Sequence, residues 1–348
     1  MSAQFEASTK DLVNEVMSEY GCITRREVER YLPQGAPQRH LYDPIADYPR
    51  RGGKMMRPSI CIANARAFGA DLEDALSSAV AIELLHNALL IHDDIQDESE
   101  ERRGVPTLHK LYGVPLAINA GDTLAMLSLR PLIDNVLTIG PRISSAIMEE
   151  AQHMALASAE GQAMELGWIR DHSLDLGDED YLEMVLKKTC WFATIFPSLV
   201  GSLIGTRQSE SREQLLKFGF FLGAAFQIQD DVMNLLADAR YGKEIDGDIY
   251  EGKRTIMLLH VFRCASFEEK QLLTDIMVLP REERDAEKVN FVRGLMDRYD
   301  SIPYAKAIAH GLAGAALHEY SGIYGNLPAS RDKEFIRRLV TWVFERTS

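Results

Sequence analysis

The sequence predicts an all-α protein folded as a single large bundle of antiparallel helices around a central cleft. Three observations support this prediction: apolar residues recur at helical spacing, strand-like alternation is scarce, and no Pro/Gly/Ser-rich linker divides the chain. Hydrophobic residues make up 46% of the 348 residues and charged residues 26%, a globular mixture that can bury a large core. We therefore expect one domain that spans residues 1–348.

Start and stop signals place the individual helices. Asp71 is a candidate N-cap, acidic residues follow it in the first turn, and a long apolar helix then runs to a group of aspartates. Ser266 and Glu269 have the spacing of a capping box, and Pro280 is expected to close the helix that follows them. The other long helices are predicted at 115–136, 141–165, 179–206, 211–237, 284–298 and 303–322. Loops are predicted at 50–54, 102–104 and 241–253.

One stretch without charge, from Thr189 to Thr206, bears on whether the chain crosses a membrane. It is near the lower length limit for a membrane-spanning helix. It also contains Pro197, and a helix that is apolar all round is equally what the centre of a large bundle requires. We interpret this stretch as buried core and expect no membrane span.

The overall charge and the cysteines restrict the function further. The formal net charge is −14 at pH 7, which argues against binding to nucleic acid or to an anionic membrane, because both favour a basic surface. The four cysteines lie far apart and have no histidine at zinc-ligand spacing, so we expect neither disulfides nor a zinc site. The first residues show no basic region followed by an apolar run, and a cytoplasmic protein is expected.

Two groups of aspartates end two apolar helices. Asp93 and Asp97 lie four residues apart on one helical face, with Asp94 beside them, in the spacing DDxxD. Asp230 and Asp231 end the apolar run that begins at Phe218. If the two helices face each other, the carboxylates form an all-oxygen site for hard cations, and Mg²⁺ commonly uses few carboxylates and completes its shell with substrate phosphates.

Basic residues accompany both acidic groups. In a chain this acidic, such a distribution is typical of phosphate binding, in which arginine acts as a fork and lysine as a point charge. The residues concerned are Lys54, Arg57, Arg102, Arg103, Lys243, Lys253 and Arg254. His86 lies two helical turns before Asp93 on the same face. A lone buried histidine is usually a core residue, so His86 is a candidate site residue only because these charged residues accompany it.

Five motifs in order strongly resemble the trans-prenyl diphosphate synthases, which make farnesyl, geranylgeranyl and longer diphosphates. The motifs are GGKMMRP at 52–58, HNALLIHDDIQDESEERRG at 86–104, KKT at 187–189, FQIQDD at 226–231 and GKEIDGDIYEGKRT at 242–255. They span about 200 residues, and the helices outside them fit the single bundle of that family.

The resemblance implies a role for each candidate residue. Asp93, Asp97 and Asp230 would ligate three Mg²⁺ ions, with Asp94 and Asp231 in supporting positions. Other residues would hold the allylic diphosphate, namely Arg102, Lys188 and Lys253, with Lys243 near it. A further set would hold isopentenyl diphosphate without metal, namely Lys54, Arg57, His86 and Arg103. Thr189, Gln227 and the carbonyl of Lys188 would face the carbocation. The resemblance also implies a homodimer.

Two positions depart from the family's pattern. Met55 stands where the family often has an arginine directly after the lysine, at a position of lesser importance. Asn234 stands where the second acidic motif commonly has a third aspartate. It resembles some geranylgeranyl diphosphate synthases, and we interpret it as a variant that leaves the third metal to Asp230.

Product length is expected to depend on the helix before Asp93. Ala88 and Leu89 stand five and four residues before it, where family members that stop at fifteen carbons usually have an aromatic ring. Neither residue is aromatic, so the pocket should extend at least one isoprene unit further, with Leu85 or with Trp191 and Phe192 as its floor. The expected main product is geranylgeranyl diphosphate, with the twenty-five-carbon homologue as the nearest alternative.

Other functions explain fewer of the motifs. A class I terpene cyclase or a head-to-head squalene or phytoene synthase has no need of the GGKMMRP loop and His86. A non-catalytic partner subunit of a heteromeric synthase would be expected to lose an acidic cluster. A metal phosphohydrolase built on His92 and Asp93 would leave the second acidic cluster and the basic loops unexplained.

Overall fold

The computed structural model describes residues 2–208, 212–236 and 245–345, and these residues form a helical bundle. The first part of the chain contains α1 (Ser2–Tyr31), α2 (Asp43–Arg50), α3 (Met56–Ala67), α4 (Leu72–Gln96), α5 (Leu108–Tyr112), α6 (Val114–Leu127), α7 (Leu129–Thr138) and α8 (Pro141–Arg170). The second part contains α9 (Asp178–Val185), α10 (Phe196–Thr206), α11 (Arg212–Leu236), α12 (Gly247–Glu251), α13 (Ile256–Cys264), α14 (Phe267–Met277), α15 (Ala286–Arg298), α16 (Ser301–Tyr324) and α17 (Arg331–Glu345).

Short irregular elements join the helices. Two π-helical segments (Gln38–Tyr42 and Leu186–Ile195) and a 3₁₀ turn (Arg281–Glu283) are present. Two two-residue strands, β1 (Glu101–Arg102) and β2 (Val105–Pro106), pair antiparallel. The all-α prediction is therefore confirmed, because this small ladder is the only sheet in the described ranges.

The buried side chains form two clusters separated by α4. The larger one fills the space among α3, α10, α11, α16 and α17. The smaller one lies where α4 meets α2 and α6, and it contains Ala88 together with Ala117 and Ala120. Leu85 and Leu89 pack against the larger cluster instead. The helix that carries the first aspartates therefore presents different faces to two apolar regions.

Within the described ranges, the long segment Asp178–Thr206 is one of two helices that are long and apolar enough to cross a membrane, the other being α4. Its most apolar window is 83% buried inside the bundle, and that of α4 is 61% buried. Such burial is what core helices of a helical bundle require. The interpretation of Thr189–Thr206 as buried core agrees with this placement.

The middle of this segment is wound as a π-helix from Leu186 to Ile195, around the KKT motif. α8 crosses it so closely that a Cβ atom built on Gly161 would lie 2.2 Å from the backbone nitrogen of Lys188. Only glycine fits this crossing. Departures from α-helical winding are frequent at functional sites, and here the departure falls on Lys188 and Thr189.

Several predicted boundaries were wrong. The helix expected at 115–136 is interrupted at Ser128, since Pro131 has no backbone N–H to continue the ladder past this point. The loop expected at 241–253 contains α12 from residue 247, while residues 241–244 lie outside the described part. Asp71 occupies the N-cap of α4 as expected, but its side chain caps no backbone N–H there. The capping box of Ser266 and Glu269 is confirmed.

Candidate active site

The structure brings the ends of α4 and α11 to the same cleft. Asp93 and Asp97 lie at the C-terminal end of α4, and Asp230 and Asp231 lie in the last turns of α11. Arg57, from the start of α3, is close enough for Asp230 and Asp93 to act on its charge. Both acidic clusters and the first basic motif therefore share one electrostatic environment.

Two lysines balance the first acidic cluster. The Nζ atom of Lys253 lies 2.9 Å from Oδ2 of Asp97 and 2.5 Å from Oε2 of Glu251. Burial alone would raise the pKa of Asp97, but Lys253 and Lys188 outweigh it and hold this pKa below its usual range. Burial raises the pKa of Asp93 despite the nearby lysine. Asp93 is thus a desolvated carboxyl group that a further cation would stabilise.

Lys188 is itself held by an acid. Its Nζ atom donates to Glu165 of α8, and both side chains are largely buried. The sequence motifs did not single out Glu165. Its position is visible only when α8 is packed against the π-helical segment.

Asp94, which was predicted to support the metal site, is engaged with protein donors. Its carboxylate is fully buried and accepts hydrogen bonds from the Nε and Nη2 atoms of Arg102 and from the hydroxyl of Tyr48. With these partners Asp94 fixes the guanidinium of Arg102, whose positive charge acts on Asp93. These contacts favour an anchoring role for Asp94, and its assignment to the metal group stays a prediction.

The second acidic cluster is tied to the KKT motif by side-chain hydrogen bonds. The hydroxyl of Thr189 donates to Oε1 of Gln227 over 2.9 Å, and Nε2 of Gln227 donates to Oδ1 of Asp231 over 2.7 Å. The hydroxyl of Tyr181 donates to the other oxygen of Asp231 over 2.7 Å. Burial, followed by the nearby carboxylate of Asp248, raises the pKa of Asp231 well above its usual range.

Asn234 links α11 to the segment that carries Asp248. Its Oδ1 atom accepts a hydrogen bond from the backbone N–H of Asp248 over 3.1 Å, and its backbone carbonyl oxygen accepts one from the backbone N–H of Asp246 over 3.0 Å. The side chain is buried. The asparagine therefore positions a neighbouring acid.

A polar cavity of about 70 Å³ lies between these groups. Its lining combines acidic, basic and hydroxyl side chains from α8, the π-helical segment, α11 and α12. The residues are Glu165, Tyr181, Met184, Lys188, Thr189, Gln227, Asp230, Asp231, Asp248, Lys253, Arg254 and Thr255.

A second cavity, of about 130 Å³, lies on the other side of α11. Phe226 lines it, whereas the next residue, Gln227, lines the first cavity. All four residues predicted to hold a diphosphate without metal line this second cavity, namely Lys54, Arg57, His86 and Arg103. Glu83, Met55, Met56, Gly53 and Trp342 complete the wall.

Arg57 is the most buried cation of the second cavity. Burial lowers its pKa to about 10, and its Nε atom has no hydrogen-bond partner among the described residues. A buried guanidinium N–H without a partner is costly, and an anion that enters the cavity would remove that cost. The arrangement is therefore that of an anion pocket.

His86 is neutral in this environment. Burial, followed by the charge of Arg57, lowers its pKa to about 4. Its Nδ1 atom lies 3.7 Å from Glu83, whose pKa stays below the usual range, because hydrogen bonds and charge outweigh its burial. A buried acid so close to the basic motif was missed in the sequence, although it lies one helical turn before His86.

Arg103 depends on the glycines of the first motif. A Cβ atom built on Gly53 would lie 2.7 Å from Nη2 of Arg103, so a larger residue would displace the guanidinium. Nη1 of Arg103 donates to the carbonyl oxygen of Tyr48 over 3.3 Å. The GGK loop thus leaves space for a cation from another part of the chain. Lys243, which was also predicted to bind a diphosphate, lies outside the described residues.

The donor set of the first cavity fits Mg²⁺ of the kind that binds with its substrate. Its acids are all carboxylates, the oxygen ligands that a hard cation prefers. In the described ranges, no three acidic, histidine or cysteine side chains converge to cage an ion on their own. Mg²⁺ commonly takes one or two carboxylates and fills its remaining positions with phosphate oxygens and water.

Comparison with known proteins gives one family. Residues 38–296 match the family model described as Polyprenyl synthetase. A geranylgeranyl pyrophosphate synthase of Geoglobus acetivorans is 34% identical over 72% of this chain and 77% of its own length. A geranylfarnesyl diphosphate synthase of Natronomonas pharaonis is 30% identical over 98% of this chain and 99% of its own length.

Comparison with solved structures leads to the same family. The crystal structure of a geranylgeranyl pyrophosphate synthetase from Pyrococcus horikoshii superposes with a TM-score of 0.85 at 32% identity, covering 97% of this chain and 99% of that one. The family match covers most of the chain, and the helical bundle superposes on a solved structure over nearly its whole length. The chain therefore belongs to the polyprenyl synthetase family.

Proposed function

We propose that the chain is a Mg²⁺-dependent trans-prenyltransferase that condenses isopentenyl diphosphate with an allylic diphosphate. The observation that carries the proposal is the pair of cavities divided by α11. One is lined by carboxylates that include Asp230 and Asp231 and by Lys188 and Lys253, and Lys253 also donates to Asp97 of the first acidic cluster. The other is lined by Lys54, Arg57, His86 and Arg103. A reaction that releases one diphosphate and retains the other needs two such environments.

The allylic diphosphate binds in the first cavity. Lys188 and Lys253 offer positive charge there, and Arg102 is held at the mouth by Asp94. Asp93, Asp97 and Asp230 would hold the Mg²⁺ ions, three by resemblance to the family, with Asp231 in support. When bound, the ions neutralise the charge that develops on the departing diphosphate.

Isopentenyl diphosphate binds in the second cavity through Lys54, Arg57, His86 and Arg103. Breakage of the allylic C–O bond gives a carbocation, and the isopentenyl double bond supplies the electron pair for the new C–C bond. A proton is then lost from the isopentenyl unit to the released diphosphate. Thr189, Gln227 and the carbonyl of Lys188 turn oxygen atoms toward the cation and stabilise it.

Geranylgeranyl diphosphate is the proposed main product. The relatives include geranylgeranyl and geranylfarnesyl synthases, which supports an elongation product of twenty carbons with twenty-five as the next possibility. The small residues Ala88, Ala117 and Ala120 face one another between α4 and α6. A seam of small side chains is the place where an elongating hydrocarbon displaces least protein.

We further propose that the protein is a cytosolic homodimer. α6, α7 and α8 expose a band of large apolar side chains that includes Met126, Ile133, Leu137 and Leu156. Leu137 is 88% exposed and Met126 67%. Contiguous apolar surface of this kind marks an interaction face, and a second copy of the chain is the proposed occupant. Light scattering coupled to gel filtration tests the stoichiometry.

The experiment that tests the function is incubation with labelled isopentenyl diphosphate, each allylic primer in turn, and Mg²⁺, followed by sizing of the extracted product. We expect label in a twenty-carbon diphosphate and no incorporation without Mg²⁺. A terpene cyclase would consume the allylic substrate without incorporating label, and a partner subunit would do neither. Either result would overturn the proposal.

A further inference from the structure

The C-terminal helix reaches the isopentenyl cavity. Trp342 of α17 is 5% exposed and lines the cavity beside Lys54 and Phe226. The Nζ atom of Lys54 lies 5.7 Å from the centroid of the Trp342 ring. The indole therefore packs against a cation of the GGKMMRP motif, although the two residues lie near opposite ends of the chain.

The contact belongs to a pattern within this cavity. The guanidinium carbon of Arg57 lies 5.2 Å from the ring of Phe192, so a second cation of the same motif also rests on an aromatic face. An aromatic ring attracts a cation through its quadrupole, and tryptophan does so most strongly. A cation–π contact uses none of the cation's N–H donors. A carboxylate partner, in contrast, would compete with an incoming diphosphate for those donors. Aromatic support suits a cation that must bind an anion.

α17 is held firmly enough to fix the ring. Its apolar face buries Phe335, Leu339 and Val343 in the main core. At its first turn Asp332 accepts from the hydroxyl of Tyr20 and lies 3.3 Å from Nε of Arg66. The helix is thus joined to α1 and α3, and α3 follows directly after Lys54.

We propose that Trp342 is a positioning residue for isopentenyl diphosphate, which orders the flexible side chain of Lys54 and closes the C-terminal wall of its cavity. The inference rests on the proposed function and extends it to a residue that none of the five motifs contains. Lysine has a long flexible stem, so its charge needs a support to be held in one place.

The test compares Trp342→Leu and Trp342→Phe with Phe344→Leu, which removes an aromatic ring from the same helix without altering the lining of the cavity. We expect Trp342→Leu to raise KM for isopentenyl diphosphate about fourfold, in line with a cation–π contact to an exposed lysine. KM for the allylic substrate and kcat should stay within about twofold. Trp342→Phe should recover most of the loss, and Phe344→Leu should match the wild type in all three quantities.

A second readout is independent of turnover. Calorimetric titration of inorganic pyrophosphate without Mg²⁺ should show binding to the wild type, weakened about fourfold by Trp342→Leu and at least as much by Lys54→Ala. Absence of binding to the wild type, or equal affinity in wild type and Trp342→Leu, overturns the inference. So does an equal rise of both KM values in a variant whose thermal unfolding is unchanged. Failure of the proposed function is distinct, since it appears as wild-type protein that incorporates no label.

Discussion

Arg102 and Asp94 form a largely buried ion pair, with Nε of the arginine 2.8 Å from each carboxylate oxygen. The hydroxyl of Tyr48 completes the shell of Asp94. Removing one member of a buried ion pair leaves the other charge uncompensated and typically costs about 3–5 kcal/mol. We therefore predict that Asp94→Ala lowers the free energy of unfolding by about that amount, measured by urea denaturation. Full stability together with abolished Mg²⁺ dependence would instead make Asp94 a metal ligand.

Asp93 should behave in the opposite way. Since burial raises its pKa, the charged form gains little from the folded protein alone, and the isosteric change Asp93→Asn should leave thermal unfolding nearly unaltered. Turnover should fall at least about 100-fold, or about 2.7 kcal/mol in the barrier. Asp230→Asn should give the same result. Steady-state kinetics and circular dichroism check both parts, and near-normal turnover with Mg²⁺ still required would remove these residues from the metal site.

Asn234 is predicted to tolerate aspartate. The side-chain oxygen that accepts from the N–H of Asp248 is retained in Asn234→Asp, so activity should stay within about tenfold, or ~1.4 kcal/mol in the barrier. Asn234→Leu removes the acceptor and leaves a backbone N–H without a partner, which costs about 1–3 kcal/mol of stability. A large gain of activity in Asn234→Asp would identify this chain as a weakened synthase.

His86 should make the protein sensitive to mild acid. The pKa of His86 is about 4 in the folded protein, through burial and Arg57, with Glu83 opposing and Arg103 adding to the effect. In the unfolded chain His86 takes up a proton near pH 6.5, whereas in the folded chain it stays neutral down to about pH 4. The free energy of unfolding therefore falls as the pH drops from about 6.5 toward 4. Between pH 7 and 5, the wild type should lose about 2 kcal/mol more than His86→Gln. Equal losses in urea titrations at the two pH values would contradict this account.

Ala88→Phe should shorten the product to farnesyl diphosphate. The alanine lies in the packed seam between α4 and α6, and a ring there fills space that cannot be regained without strain. Leu89→Phe tests the opposite face of α4, because Leu89 packs against the larger cluster. Product sizing distinguishes the routes: a shorter product from the Leu89 variant alone would place the hydrocarbon on the other side of α4.

The sequence was sufficient for the fold class, because apolar periodicity is a local property that the helical bundle preserves. It was also sufficient to place Lys54, Arg57, His86 and Arg103 in one group, since the cavity between α3 and α4 gathers all four. Motif order carried that information. The roles of the individual residues stay predictions until the variants are measured.

What the sequence did not indicate depends on contacts between distant elements. Glu165 shows its relevance only when α8 packs on the π-helical segment, and Trp342 only when the last helix folds back on the first motif. Asp94 was predicted to support the metal site beside Asp93, and the 100° that separates the two residues on the helix turns its carboxylate toward Arg102. The different surroundings of Asp93 and Asp94 thus come from packing and not from residue type.

The crossing of Gly161 and Lys188 has a consequence for how variation in this chain should be interpreted. Any side chain at position 161 would push against the main chain of the lysine, so its smallest replacement, alanine, would shift a residue of the cavity without touching any recognised motif. Such a change would be scored as conservative in a mutational survey. The position of Lys188 therefore depends on the absence of a Cβ atom at residue 161. We expect laboratory evolution of this enzyme to accept no residue other than glycine there.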